Sequence, residues 1–261
     1  MSFGKVHLVC PDSHAHPDFH NKRADYLGQL IKDLRPDVVV NLGDTADMAS
    51  LSTFDKGKAS FVGRNYAKDI DSHLDFQERM WAPSKKSKKK RPYRVVLEGN
   101  HEHRVKRAIE VSPELEGERH GISFKDFDFG AYYDDVVEYE GSTPGIIAID
   151  GVHYAHYFIS GVMSRAVGGE HHASSLCKKT LVSCTVGHSH LRDFAVSTGA
   201  TGRVIQSLVA GVFQDYRSPW AGAVNNLWSW SGVVIKRGVE DGVYDHQWVS
   251  IGALEREYGV L

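Results

Sequence analysis

Three short apolar runs constrain this chain more than any other feature. They are Val6 to Cys10, Val38-Val39-Val40 and Tyr93 to Leu97. None alternates with polar residues, which is the pattern of a strand buried on both faces of a parallel sheet. A helix-like segment follows each run. Asn21 to Leu34 places Tyr26, Leu27, Leu30, Ile31 and Leu34 on one face, and Pro36 ends it. A second helix is expected from about Asn65 to Met80 and a third from His101 to Glu110, with a polar, lysine-rich connection from Pro83 to Pro92. Strand–helix–strand alternation of this kind implies βαβ units.

The second half reads differently. Ser112 to Asp135 is rich in Gly and charge and predicts a long loop with little regular structure. Val136 to Tyr139, Ile146 to Ile149, Val152 to Tyr157, Leu181 to Val186, Val204 to Val209, Gly232 to Lys236 and Val243 to Ile251 are strand candidates. Asp241-Gly242 is a hairpin signal before the last of them. No internal repeat is present. The expectation is an α/β (α+β) fold, a single domain over residues 1–261, in which two mixed β-sheets pack together and α-helices flank them.

Composition excludes several classes. With 41% hydrophobic and 25% charged residues among 261, a core of ordinary size can form without disulfides or a structural metal. The net charge of -2 gives no global electrostatic case for nucleic acid or an anionic membrane. No stretch approaches about 18 uninterrupted apolar residues, so no membrane span is expected. The N-terminus runs directly into a strand with no signal peptide. Cys10, Cys177 and Cys184 lack a CxxC spacing and read as reduced thiols of a cytoplasmic protein. Histidine is abundant, at 15, and several fall two or three residues apart, as metal sites often require.

Five segments share one arrangement, an apolar strand followed at once by metal-type ligands. Asp12-Ser13-His14 follows the first strand, and Gly43-Asp44-Thr45-Ala46-Asp47 the second. Gly99-Asn100-His101-Glu102 follows the third. His156 ends the strand through Tyr154-Ala155, and Gly187-His188-Ser189-His190 follows Thr185-Val186. The carboxyl ends of strands in an α/β sheet are where sites form. Asp, Asn and His together suit Mn, Fe or Zn better than Ca or Mg, because imidazole is prominent.

Asp12-x-His14, Gly43-Asp44-x-x-Asp47, Gly99-Asn100-His101-Glu102, His156 and Gly187-His188-x-His190 resemble the motif set of calcineurin-like metallophosphoesterases. All five motifs are present in order, over about residues 12 to 190. The resemblance implies a β-sandwich flanked by helices and a site for two divalent metal ions. Mn is favoured, with Fe, Zn, Ni or Mg as alternatives. Asp12, His14 and His190 would hold one ion, Asn100, His156 and His188 the other, and Asp44 would bridge them. A hydroxide between the ions would attack phosphorus in line. His101 would serve the leaving oxygen, and Asp47 would accept a hydrogen bond from it.

Some positions stay open at this level. His153 competes with His156, but strand alternation puts the two on opposite faces, and the strand end favours His156. Tyr157 stands where the family pattern has a small residue. His16 and His20, near the first motif, either contact substrate or sit on an exposed loop, and the loop is expected for each. Lys85 to Arg91 is either a phosphate-backbone clamp for DNA or RNA or a solvated loop. Ser160 to His172 is either a mobile loop over the site or an ordinary Gly-rich connection. Trp220, Trp228 and Trp230 are expected to pack in the C-terminal sheet rather than form a stacking platform.

The activity expected is hydrolysis of phosphate esters, foremost as a phosphodiesterase or nuclease acting on nucleic acid or nucleotides. A phosphomonoesterase is the alternative, and a non-catalytic binding module on the same scaffold a third. The Asp-Arg-Gly continuation of phosphoprotein phosphatases is replaced by Asp47-Met48-Ala49. The lost Arg removes a bidentate phosphate contact, for which Arg104 and Arg107 are candidate substitutes.

Overall fold

A computed structural model describes residues 4–85, 91–117, 121–218 and 222–259. Strand β1 (Lys5–Cys10) is followed by helix α1 (Lys22–Leu34), β2 (Val38–Asn41), α2 (Tyr66–Lys85), β3 (Tyr93–Leu97) and α3 (His103–Val111). The chain continues through α4 (Phe129–Tyr132), β4 (Asp135–Val137), β5 (Ile146–Ile149), β6 (Val152–Ala155), β7 (Ile159–Ser160), β8 (Arg165–Ala166) and α5 (His172–Thr180). It ends with β9 (Cys184–Val186), β10 (Arg192–Thr198), β11 (Val204–Ala210), α6 (Ala223–Trp228), β12 (Gly232–Glu240), β13 (Val243–Ser250) and α7 (Ile251–Tyr258).

One six-stranded sheet has the order β13-β12-β1-β2-β3-β4, and a five-stranded sheet has the order β10-β11-β9-β6-β5. Strands β1 to β4 are parallel, and β12 and β13 extend them antiparallel. The second sheet is mixed: β6, β9 and β11 are parallel, and β5 and β10 pair antiparallel at its edges. The apolar runs now have a reason. Leu8, Val39 and Val96 face the helices, packing with Leu27, Ile31, Phe76 and Met80. Their neighbours Val9, Val38, Val40, Val95 and Leu97 face the second sheet, against Val152, Tyr154 and Leu208. Strands covered on both sides admit no polar alternation.

Helices α1 and α2 lie so close that a Cβ on Gly28 would fall 2.6 Å from the Met80 carbonyl oxygen, so glycine is required at the crossing. Asp241 (φ 49) and Gly242 (φ 83) both take left-handed backbone, and they join β12 to β13 as the expected hairpin.

Several expectations need correction. Helix α2 does not stop before Pro83 but runs through it to Lys85. The segment from Ser112 to Asp135 is not merely loop: Phe127, Phe129, Tyr132 and Tyr133 bury themselves in the helix-side core and fold short helical turns. The strand placed at Leu181 begins only at Cys184, because α5 precedes it and Leu181 caps that helix with left-handed backbone. Strand β10 and helix α7 are additions that the sequence pattern does not announce. Of the lysine-rich run, residues 86–90 lie outside the described residues, as does Trp220. Among the described residues, no helix is long and apolar enough to cross a membrane.

Candidate metal centre

The expected residues lie at the carboxyl ends of β1, β2, β3, β6 and β9, on one edge where the two sheets meet. Main-chain hydrogen bonds tie these turns together. The His14 N–H donates to the Asp44 carbonyl and the Ala15 N–H to the Thr45 carbonyl, both at 2.8 Å, and the Asp47 N–H returns to the Ala15 carbonyl at 2.9 Å. The Gly187 N–H donates to the His156 carbonyl at 3.1 Å. The backbone is strained where the side chains converge: His14, Asp44, His188 and His190 have φ of 41, 47, 64 and 59°. Left-handed backbone costs a non-glycine residue roughly 1 kcal/mol or more, and such strain concentrates at functional sites.

Three groups of donors form among the described residues: Asp12–His14–His190, Asp44–His156–His188 and, sharing His14, His14–Asp47–His101. In the first, His14 Nε2 lies 3.1 Å from His190 Nε2, and His190 Nε2 lies 3.4 Å from Asp12 Oδ2. In the second, His156 Nε2 lies 3.4 Å from Asp44 Oδ2 and 3.0 Å from Asn100 Oδ1. Ligand-type atoms of Asp12, His14 and His190 all fall within 4.8 Å of one another, as do those of Asp44, His156 and His188. Asp44 Oδ2 is also 3.9 Å from His14 Nε2, so this carboxylate stands between the triads.

The donor set fits divalent ions. Asp12 Oδ1 is buried without a hydrogen-bond partner, while Oδ2 accepts from the His188 N–H at 2.8 Å. His156 Nδ1 meets the Leu42 carbonyl at 2.8 Å, which leaves Nε2 to face the site. Burial would raise the Asp12 and Asp44 carboxyls, yet facing imidazoles hold both below the ordinary range, so both are carboxylates. Burial, with the charge of His156 beside it, pushes His188 down to about 4 and keeps its ring neutral, the form in which imidazole can bind a metal.

His101 lies beside this pair of triads. Its main-chain N–H donates to Asp44 Oδ1 at 2.8 Å, and its ring Nδ1 meets the Asp47 main-chain carbonyl at 2.5 Å. Asp47 Oδ1 is farther from Nδ1, at 3.4 Å, and equally approaches His14 Nδ1 at 3.3 Å. The role expected of the Asp47 carboxylate is thus shared with its backbone. Burial pulls the His101 pKa down, but Asp44 and Asp47 outweigh it, so it lies above the ordinary imidazole value. The site opens into a cleft of about 690 Å³, bordered by Asp44, Asn100, His101, His188, His190 and Arg104 among others.

The structure places the remaining positions as follows. His156 is fully buried among the converging donors, and His153 is not in either triad. His16 departs from the exposed placement expected of it. It is buried, because the paired turns carry it inward to 3.8 Å from Asp47 Oδ2, and Phe19 and Tyr216 cover it. His20 is exposed, as expected. Trp230 packs edge-on against Trp248, but Trp228 is 64% exposed on α6, contrary to the packing expectation. Ala166, Val167 and Gly168 border the cleft, so the segment after Ser160 does lie over the site, partly as the β7–β8 ribbon.

Glu102 and Arg23 have supporting jobs that the sequence alone does not assign, and Arg104, a candidate phosphate contact, is engaged by main-chain carbonyls instead. Glu102 receives five bonds: from the Asp44, Thr45, Ala46 and Gly99 N–H groups at 3.0, 2.6, 3.0 and 2.8 Å, and from the Thr45 hydroxyl at 2.7 Å. Arg104 Nη1 donates to the Asp47 and Met48 carbonyls at 2.9 and 3.1 Å, and Nη2 stands 3.0 Å from His101 Nε2. Arg23, fully buried, holds the Ser13, His20 and Phe213 carbonyls. A Glu three residues after Gly99 was the available signal for the first.

The model of the calcineurin-like phosphoesterase family matches residues 7–192. The chain belongs to the calcineurin-like phosphoesterases. It is accordingly a hydrolase of phosphoric esters, with His and Asp groups suited to divalent metal. No curated protein matches this phosphoesterase at a significant level. Among solved structures it is similar to TT1561 of Thermus thermophilus, at 9% identity and a TM-score of 0.36, over 94% of this chain and 99% of that one.

Proposed function

We propose that this phosphoesterase is a two-metal phosphodiesterase acting on nucleic acid or nucleotides. The observation that carries the reading is the pair of donor triads, Asp12–His14–His190 and Asp44–His156–His188, converging on either side of Asp44. Asn100 would join the second, since its Oδ1 faces His156 Nε2 at 3.0 Å. Two ions held there supply an activated water and neutralise charge on the phosphoryl oxygens.

The chain's own residues would do the rest. Asp44, held by its N–H on Glu102 and by the His101 N–H on its Oδ1, presents Oδ2 to both triads. Asp47 orients His14 through Nδ1, leaving Nε2 for the metal. His101, fixed by the Asp47 carbonyl at Nδ1, presents Nε2 to the cleft and would protonate the leaving oxygen. Substrate would displace Arg104 from Nε2 as it binds.

A diester is favoured over a monoester by charge. A terminal phosphate dianion calls for a free guanidinium fork. Arg104, the one arginine lining the cleft among the described residues, keeps its Nη1 on the Asp47 and Met48 carbonyls even when Nη2 leaves His101, so its fork is not free. A hollow of about 710 Å³ shares Asn100 with the cleft, and another of about 650 Å³ begins at Leu191, next to His190, suiting an extended substrate. A panel of single- and double-stranded DNA, RNA, cyclic nucleotides and a phosphopeptide, run with Mn and with chelator, tests this. Mn-dependent cleavage of a nucleic acid or nucleotide diester is expected. Turnover of the phosphopeptide alone would overturn it in favour of a monoesterase.

A further inference from the structure

Asn100 borders not only the central cleft but also the hollow of about 710 Å³, whose wall includes His103, Arg107, Tyr139, Ser142 and Tyr157. We propose that this hollow is a nucleobase subsite: the base next to the scissile phosphate lies in the corner of Tyr139 and Tyr157, stacked on one ring and edge-on to the other, and Arg107 meets a neighbouring phosphate. This rests on the phosphodiesterase reading above.

The rings form a continuous path to the metal centre. His103 stacks on Tyr139 with centroids 4.5 Å apart and planes 23° apart. Tyr139 meets Tyr157 edge-on at 6.3 Å, and Tyr157 lies 4.6 Å from His188. A base held on this surface would sit one residue's width from the donors that would hold metal.

The surface is also built. Glu98, 1% exposed, takes the His103 ring at 2.9 Å, Lys106 Nζ at 2.7 Å and the Tyr139 N–H at 2.6 Å. A buried carboxylate with three partners fixes the ring stack before any ligand arrives, which lowers the cost of binding. Both tyrosines remain only partly buried and border open space rather than filling it.

The charges suit a base flanked by one phosphate. Lys106 is already neutralised by Glu98 and by Glu138 at 2.6 Å. Arg107 is exposed and has no ion-pair partner among the described residues. Glu110 lines the same hollow, so aromatic faces with one available cation and one carboxylate match an uncharged π-face beside a single phosphate rather than a highly charged ligand. An acidic or phosphorylated peptide would call for a cluster of cations instead.

The test uses the Mn-loaded full chain and a tetrathymidylate whose leaving oxygens are replaced by methylene, beside an abasic strand of the same linkage. Calorimetry is expected to show about tenfold tighter binding of the base-bearing strand, the scale of one stacked base. Tyr139→Leu and Tyr157→Leu should each erase that preference, while Tyr139→Phe keeps it. Arg107→Ala should weaken both strands alike. Equal binding of the two strands by the unaltered chain, or a preference that survives both Leu variants, would overturn the subsite. Base-dependent binding without cleavage of any natural diester would support the subsite and defeat the phosphodiesterase reading, so the two failures are separable.

Discussion

The Glu102 carboxylate holds Thr45 by two bonds, from its main-chain N–H at 2.6 Å and from its hydroxyl at 2.7 Å. Through this contact the turn after β3 sets the shape of the turn after β2, and so the position of Asp44. Three further N–H groups converge on the same carboxylate. Glu102→Gln presents an NH₂ donor to donors. Breaking hydrogen bonds to a buried charge should lower stability by about 3 kcal/mol or more. The urea midpoint at neutral pH measures it, and turnover should fall too as Asp44 loses its anchor.

His101 contacts Asp44 and Asp47 and falls in the His14–Asp47–His101 group, apart from the triads around Asp12 and His156 to which the two ions are assigned. His101→Ala should therefore slow hydrolysis of a chromogenic diester by about 10²- to 10⁴-fold, the usual worth of a general acid. Mn bound per chain should stay the same. Full turnover in this variant would remove His101 from the reaction.

Gly187 needs to be glycine for a steric reason. A Cβ there would lie 2.0 Å from Asp12 Oδ1, on the carboxylate whose Oδ2 stands 3.4 Å from His190 Nε2 in the first triad. Gly187→Ala should push Asp12 aside and weaken Mn binding at one site by about 10-fold or more, the cost of disturbing a ligand's surroundings. Equilibrium dialysis against Mn measures it.

His73 makes stability depend on pH. Burial lowers its pKa to about 4, from an ordinary imidazole value of 6.5, and its Nε2 meets the Phe127 carbonyl at 3.1 Å. The unfolded chain binds the proton first, so the neutral ring's contribution is complete above pH 6.5 and is lost as pH falls toward 4. The shift corresponds to about 3 kcal/mol. Urea unfolding at successive pH values should show this acid loss, and His73→Gln should lessen it, the remainder coming from His7, which burial also lowers to about 4.

Much of the centre was legible because ligands must be particular residue types at strand ends. Asp12, His14, Asp44, Asn100, His156, His188 and His190 converge where the parallel order of β1, β2 and β3 and of β6 and β9 carries them. The two-faced burial of Val38 to Val40 was legible as an unbroken apolar run. Contacts made by the main chain were not. The Asp47 carbonyl that holds His101 has no sequence signature, nor do the carbonyls held by Arg23 and Arg104. Helix α5, with its Ser, Cys and Lys residues, and the exposure of Trp228 depend on packing that composition does not encode.

Two divalent ions are expected around Asp44, and counting Mn bound per chain at saturation, in the unaltered protein and in Asp44→Asn, checks this. The expected result is two ions per chain with chelator-sensitive hydrolysis, and weakened binding with loss of activity in Asp44→Asn. One ion or none per chain, or undiminished binding in Asp44→Asn, would contradict it.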